Sequence, residues 1–175
     1  MNAIRDILPE SAAWGCTLSK SAPNIMKGDI ETANFPWRNF DLIILCHVAE
    51  HFLTPVETLY RISTYLAPNG IVYLEVPSFH WVEVRLESVW TPEHISYFTK
   101  ASLHNALALA GLTPIKMKES KYWGNIKVVC KKSVPEGISI KKVDYRSVLC
   151  YHSLVKLMYP WYRLMHKVKY IGPND

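Results

Sequence analysis

The stretch Phe40-Asp41-Leu42-Ile43-Ile44-Leu45-Cys46 decides the fold of this chain. It is apolar without alternation and too short for a helix, which predicts a parallel strand covered on both faces. After it, a helix is predicted to begin at Pro55, with Thr54 as its N-cap and Glu57 completing a capping box. A second strand is predicted at Ile71–Val76. Because a strand, a helix and a second strand follow one another, we expect a right-handed parallel crossover and a fold of the α/β class.

Further elements are predicted on both sides of this unit. Two short upstream strands lie in residues 12–17 and 24–30, and a downstream helix over 100–110 has Thr99 as its N-cap. Residues 112–120 and 125–131 have the pattern of two antiparallel strands, which would form a hairpin at the edge of the sheet. The region 79–96 is aromatic and irregular, and its length predicts a lid or a substrate-facing insertion.

Composition limits the class of protein. The chain has 175 residues, of which 49% are hydrophobic and 20% charged, and this fits a globular domain with a sizeable core. No apolar run approaches the roughly 20 residues of a membrane-spanning helix. The first residues have no apolar core of signal-peptide length, so we expect a cytoplasmic protein. The four cysteines are widely separated, which favours reduced and mostly buried thiols over a zinc or redox motif.

Charge is concentrated in the last third of the chain. Residues 1–115 have 7 Lys and Arg against 11 Asp and Glu, whereas residues 116–175 have 13 against 4. Residues 145–168 have the pattern of a basic amphipathic helix kinked at Pro160. We therefore divide the chain into an α/β domain over 1–134 and a helical extension over 135–175. The extension is expected to pack on the domain or on a partner chain; peripheral contact with the inner membrane surface is the alternative, and nucleic acid is not expected.

Four segments together resemble the class I methyltransferases that use S-adenosylmethionine. They are the strand at Phe40–Ile44 with Val48–Phe52 after it, the Pro55 helix, Leu66–Gly70, and Trp90–Thr99 with Gly111 downstream. The resemblance covers roughly residues 14–132 and belongs to a broad small-molecule branch of that family. It implies a Rossmann-like methyltransferase sheet with a C-terminal antiparallel hairpin, to which the basic helix is added.

One family feature is missing from the sequence. Class I methyltransferases have a glycine-rich loop after their first strand, where the backbone approaches the cofactor closely. The seven glycines here are never closer than thirteen positions, so no Gly-x-Gly motif occurs. Residues 1–11 resemble the end of the helix that would follow that loop. We therefore expect a truncated sheet, in which the second and fourth family strands either pair directly or leave an exposed edge that invites dimerisation.

The resemblance also implies where the cofactor would bind. Asp29 would accept a hydrogen bond from the adenine amino group, and the backbone N–H of Ile30 would donate to the ring. Cys46 and His47 would line the cofactor at the end of their strand. Thr17 occupies the position of the family's ribose-binding carboxylate, and its hydroxyl makes a weaker contact. An alternative reading of Asp29 is a turn residue after Gly28.

Two histidines are the candidates for chemistry. Methyl transfer needs a positioned acceptor and often a base that removes its proton, and a histidine titrates near neutrality. His51 and His94 occupy positions where related enzymes place substrate-facing groups; Glu50 would orient a ring and Tyr97 would bind the acceptor. The alternative for each histidine is a packed structural role. Glu50, His51 and His94 also have metal-binding side chains, but these three residues are not joined by a His-x-x-x-His spacing, and we predict no metal site.

Two functions from different classes follow. The first is methyl transfer from S-adenosylmethionine to a small-molecule, sugar or lipid-linked acceptor, impaired by loss of the glycine-rich loop or completed by a homodimer or a partner chain. The second is a catalytically inactive relative that serves as a binding or scaffolding module. Only the first predicts cofactor binding.

Overall fold

The computed structural model describes residues 13–19, 24–79, 93–120, 124–133, 140–142 and 146. Within these ranges three strands come first, helices and strands then alternate, and two consecutive strands follow. In chain order they are β1 (Gly15–Thr17), β2 (Ile25–Lys27), β3 (Phe40–Cys46), a 3-10 helix (Ala49–His51), α1 (Pro55–Thr64), β4 (Leu66–Pro77), α2 (Lys100–Leu109), β5 (Leu112–Glu119) and β6 (Asn125–Lys132).

The strands form two sheets. β1 and β2 pair in parallel, and a four-stranded sheet has the order β3-β4-β6-β5. β3 and β4 are parallel, while β4, β6 and β5 pair antiparallel. The predicted α/β class, the parallel crossover and the antiparallel hairpin are thus confirmed. Among the described residues β1 does not pair with β3, so the direct pairing expected as one of two arrangements is not found there, and β3 is the edge strand of its sheet.

One face of the four-stranded sheet contacts the hydrophobic core. Val72, Leu74 and Val76 alternate along β4 and are fully buried, together with Leu59 of α1 and Leu107 of α2. Each such side chain contributes about 1.5–3 kcal/mol by leaving water. Because both α-helices of the described part contribute to this core, packing on this face fixes the position of β4 and of the polar residues at its end.

The opposite face of β3 departs from the prediction. Leu42 is 47% exposed and Ile44 is 46% exposed, and on this strand only Leu45 is buried. The expectation that both faces of β3 are covered is therefore wrong in the described part of the chain. The residues alternate as they do on a strand with one core face. An apolar run therefore does not by itself predict whether one face of a strand or both faces are covered by other elements.

The two helices begin differently. α2 has Thr99 as its N-cap, as predicted, and Thr99 and Ser102 form a reciprocal capping box. At α1 the predicted capping box between Thr54 and Glu57 is wrong, because Thr54 makes no side-chain capping bond. The acceptor there is instead the carboxylate of Glu31, far upstream in the chain.

Several predicted features lie outside the described residues. They are the helix end at 1–11, most of the lid at 79–96, and the basic helix at 145–168 apart from Arg146. The domain division at 134/135 stays a prediction for the same reason. Within the described residues, no helix has the length and hydropathy needed to cross a membrane.

Candidate active site

The carboxyl end of β3 turns sharply at His47. This residue has a positive φ of 51°, which is uncommon for a non-glycine residue, and its backbone N–H donates to the carbonyl of Glu75 at 2.9 Å. The hydrogen bond holds the turn against the end of β4. Such uncommon backbone conformations cluster at functional sites. The chain then enters the 3-10 helix, which carries Glu50 and His51.

Glu50 is the most unusual side chain at this edge. It is 1% exposed, and neither carboxylate oxygen has a hydrogen-bond partner among the described residues. His47 Nδ1 lies 3.3 Å from Oε1, within ion-pair distance but without the alignment of a hydrogen bond. The backbone carbonyl of Glu50 accepts from the N–H groups of Ile95 and Ser96, both at 2.9 Å. The carbonyl thereby holds segment 93–98 beside the 3-10 helix.

This contact brings the predicted catalytic residues together. The rings of His51 and His94 are 5.0 Å apart between centroids, and those of His94 and Tyr97 are 6.2 Å apart, both edge to face. His51 Nδ1 lies 2.7 Å from the carbonyl of Glu93. A carbonyl only accepts, so Nδ1 carries a proton, and in the neutral ring Nε2 has the lone pair. His51 is exposed and His94 is half-buried. The cluster exists in space, while the roles of its members stay predictions.

A second polar group, which the sequence analysis missed, lies next to this cluster. Glu75 accepts hydrogen bonds from Asn125 Nδ2 at 2.7 Å and from the Tyr73 hydroxyl at 2.8 Å, and Lys127 Nζ is 3.5 Å away. Burial alone would raise the pKa of Glu75, but these contacts outweigh it and hold the pKa below its usual range. Burial and the bond to Glu75 raise the pKa of Tyr73 to about 12. The sequence signal was a lone carboxylate inside an apolar strand.

Asn125 connects this group to the turn at His47. Its Nδ2 is 2.7 Å from Glu75 Oε1 and 3.3 Å from His47 Nε2. In the neutral tautomer with its proton on Nδ1, His47 Nε2 can accept from this amide. The ring of His47 thus lies between Glu50 and Asn125.

Of the predicted cofactor residues, Cys46 and His47 lie together at the carboxyl end of β3, the edge at which open α/β sheets bind ligands. Cys46 is an exposed free thiol, so the prediction of mostly buried cysteines fails here, whereas Cys130 is fully buried. Burial, assisted by the charge of Glu75, raises the pKa of Cys46. The thiol is therefore neutral at physiological pH.

The other predicted cofactor residues belong to the β1–β2 pair and the turn after it. Thr17 Oγ1 lies 3.2 Å from Ser19 Oγ and accepts from Ser19 N–H. Asp29 Oδ1 accepts from the N–H of Glu31 at 2.9 Å, which is the geometry of the turn residue that we gave as the alternative. The Ile30 carbonyl accepts a short hydrogen bond from the guanidinium of Arg61. Their contacts with a cofactor stay predictions.

Comparison with known families identifies the chain. A family model described as a methyltransferase domain matches residues 5–117. This chain belongs to the methyltransferase domain family. The resemblance expected from the sequence is thus confirmed, and the match reaches from the β1–β2 pair to β5. No curated protein sequence matches this methyltransferase-domain chain.

Solved structures with the same fold include three informative relatives. A complex between the Haloferax volcanii Trm112 methyltransferase activator and a methyltransferase matches with a TM-score of 0.63 and 15% identity, covering 76% of this chain and 77% of the other. An S-adenosylmethionine-dependent methyltransferase from Clostridium acetobutylicum matches with a TM-score of 0.60 and 12% identity, covering 76% and 80%. The Burkholderia thailandensis 1,6-didemethyltoxoflavin-N1-methyltransferase, solved with its substrate and S-adenosylhomocysteine, matches with a TM-score of 0.55 and 14% identity, covering 75% and 66%. The Rossmann-like methyltransferase fold expected from the sequence is the fold of these relatives.

Proposed function

We propose that this chain transfers a methyl group from S-adenosylmethionine to a small-molecule, sugar or lipid-linked acceptor. The observation that carries the proposal is the group of Glu50, His51, His94 and Tyr97 at the carboxyl end of β3, in a chain of the methyltransferase domain family. Ligands of open α/β sheets bind at this edge. Among the described residues, a buried carboxylate and two histidines give this edge the groups that proton transfer needs.

The cofactor would lie along the end of β3. Cys46 and His47 would contact it there, while Asp29 and Ile30 would bind the adenine and Thr17 the ribose. The neutral thiol of Cys46 and the exposed carboxylate of Asp29 suit a nucleoside with hydrogen-bond donors. S-adenosylmethionine supplies an activated methyl group when it is bound.

His51 is the candidate base for the acceptor. Its Nδ1 donates to the Glu93 carbonyl, which fixes the tautomer and leaves the Nε2 lone pair to accept a proton from an acceptor hydroxyl or amine. The ring of His94 stands edge-on to it, and Tyr97 lies next to His94, where its hydroxyl would position the acceptor.

The type of acceptor and the partners belong to the same proposal. The Burkholderia relative is an N1-methyltransferase solved with 1,6-didemethyltoxoflavin bound, and this supports a small-molecule acceptor. The Haloferax relative was solved with an activator chain, which supports a completing partner; a homodimer at the exposed edge of β3 is the alternative. The proposal includes a cytoplasmic location, and the basic charge of the C-terminal third supports peripheral contact with the inner membrane surface.

Calorimetric titration of the full chain with S-adenosylhomocysteine tests the proposal without a known acceptor. We expect saturable binding with one ligand per chain, and a weaker affinity in Asp29→Ala, because the adenine would lose its acceptor. Asp41→Ala is the matched control, since Asp41 is an exposed aspartate near the opposite end of β3. Absence of binding by folded protein at millimolar ligand would contradict the proposal and favour the inactive binding module.

A further inference from the structure

We propose that Glu50, His51 and His94 bind one divalent transition-metal ion. One ligand atom from each residue lies within 4.8 Å of the other two, although His94 is 43 positions beyond His51 in the chain. His51 and His94 are not joined by a His-x-x-x-His spacing, and the one that His51 forms with His47 does not include His94, so no metal site was predicted from these three residues. Segment 93–98 brings the second histidine to the 3-10 helix, and only the fold shows this juxtaposition.

The state of the Glu50 carboxylate is the strongest argument for a cation. Both of its oxygens are buried without a hydrogen-bond partner among the described residues, and the side chain is 1% exposed. A buried carboxylate is costly unless a cation or hydrogen bonds compensate its charge. His47 is the competing partner, but its Nδ1 is poorly aligned at 3.3 Å, and half of its side chain is exposed. A metal ion bound to the Glu50 carboxylate would compensate its charge and coordinate its oxygens directly.

The histidines have the arrangement that metal ligands need. The backbone carbonyl of Glu93 accepts from His51 Nδ1 at 2.7 Å, so His51 Nε2 is the free ligand atom. Metal-bound histidines commonly donate their other ring nitrogen in this way, which fixes the ring and increases its basicity. Ligands around a bound ion lie about 3–3.5 Å apart. The rings of His51 and His94 are not fully buried, so small rotations about their side-chain bonds can close the remaining distance.

The donor set indicates the class of ion. Two imidazoles and one carboxylate suit Zn²⁺, Co²⁺ or a similar transition metal better than Mg²⁺ or Ca²⁺, which prefer oxygen ligands. Three protein ligands leave a coordination position open, as in catalytic zinc sites. An acceptor oxygen bound there would have a lowered pKa, so the ion would replace His51 as the group that favours deprotonation. Metal binding itself does not depend on the proposed methyl transfer.

The test is a titration of chelator-treated, metal-free protein with Co²⁺, followed by its visible absorption, and with Zn²⁺ by calorimetry. We expect one ion per chain and an affinity about tenfold or more weaker in each of Glu50→Gln, His51→Ala and His94→Ala. His104→Gln is the matched control, because His104 is a histidine of α2 outside the cluster. Its affinity should stay that of the unmodified chain.

Three results would overturn the proposal. They are the absence of saturable binding, an unchanged affinity in the two histidine variants, and a loss in only one of those variants, which would place the ion with other donors. Circular dichroism verifies folding, and the surface-accessible histidine variants keep the test decisive if Glu50→Gln does not fold. The titration needs neither cofactor nor acceptor, so its outcome is independent of the S-adenosylhomocysteine experiment.

Discussion

Glu31 fixes the start of α1, and its replacement by Gln should destabilise the fold. Its carboxylate accepts from the N–H groups of Leu53 and Thr54 at 3.1 and 3.2 Å, and from the Thr58 hydroxyl at 2.9 Å. Glutamine keeps one acceptor oxygen, but its amide NH2 group replaces the second oxygen and would face an N–H donor that it cannot accept from. Loss of one charge-assisted hydrogen bond at a partly buried site costs about 1–2 kcal/mol. We expect Glu31→Gln to lower the free energy of unfolding by this amount near neutral pH.

The effect should depend on pH with a defined sign. Burial alone would raise the pKa of Glu31, but its hydrogen bonds and the charge of Arg61 outweigh burial and hold the pKa below its usual range. A group with a lowered folded-state pKa stabilises the fold above its unfolded pKa of about 4.3 and loses that effect as the pH falls through the folded value. The stability difference between the unmodified chain and Glu31→Gln should therefore shrink in acid.

Urea unfolding followed by far-UV circular dichroism measures this difference. At neutral pH the urea midpoint of Glu31→Gln should be lower than that of the unmodified chain, with the same dependence of unfolding free energy on urea. At about pH 3.5 the difference between the two midpoints should be smaller. Glu57→Gln is the matched control, because Glu57 is an exposed glutamate in the first turn of α1 and should change stability by less than about 0.5 kcal/mol. A Glu31→Gln midpoint equal to that of the unmodified chain, or a difference that persists unchanged in acid, would refute the reasoning.

Three further predictions concern packing, charge and thiol reactivity. Gly70→Ala should cost about 1–3 kcal/mol in urea unfolding, because its Cβ would lie 2.5 Å from a backbone oxygen, whereas Gly28→Ala, with its nearest contact at 3.4 Å, should be nearly neutral. Asn125→Asp should destabilise the chain by about 2 kcal/mol at neutral pH and less in acid, because a second carboxylate would face Glu75 across 2.7 Å; equal losses at both pH values would contradict this. Burial raises the pKa of Cys130 to about 12, so peptide mass spectrometry should show its alkylation by iodoacetamide only after unfolding.

The strand–helix–strand unit could be predicted because its signals are local. Pro55 at the start of α1 and Thr99 before α2 act on their own helix turns, and both helices begin where these residues predict. The capping box predicted at Thr54 does not form, because the group that accepts from this helix end is not local. The acceptor at that end is Glu31, 23 residues upstream, and no local pattern reports a partner at that distance.

The candidate site depends on contacts that the sequence does not display. Glu75 meets Asn125 because β4 and β6 pair antiparallel, and this register brings residues 50 positions apart within a hydrogen bond. His51 and His94 were found as separate candidates from a resemblance. Their proximity required the Glu50 carbonyl to hold segment 93–98. Residue types could thus be predicted, but the pairs that make a site could not.

The residues predicted to contact the cofactor lie on two separate sheets. Asp29 and Ile30 follow the β1–β2 pair, whereas Cys46 and His47 end β3, and no strand pairing joins the two sheets in the described part of the chain. Contacts with α1 and the core join them: Glu31 accepts from the start of the helix, Arg61 donates to the Ile30 carbonyl, and the Ile30 side chain packs against the core.

Polar contacts of this kind are individually worth about 1–3 kcal/mol, less than a complete strand ladder provides. For a cofactor that touched both sheets, the contact between Glu31 and α1 would help to keep its binding residues aligned, and losing that alignment would cost binding energy. It follows that Glu31→Gln, which alters no residue predicted to contact the cofactor, should weaken S-adenosylhomocysteine binding as well as stability. An unchanged affinity in this variant would show that the alignment does not depend on the contact with α1.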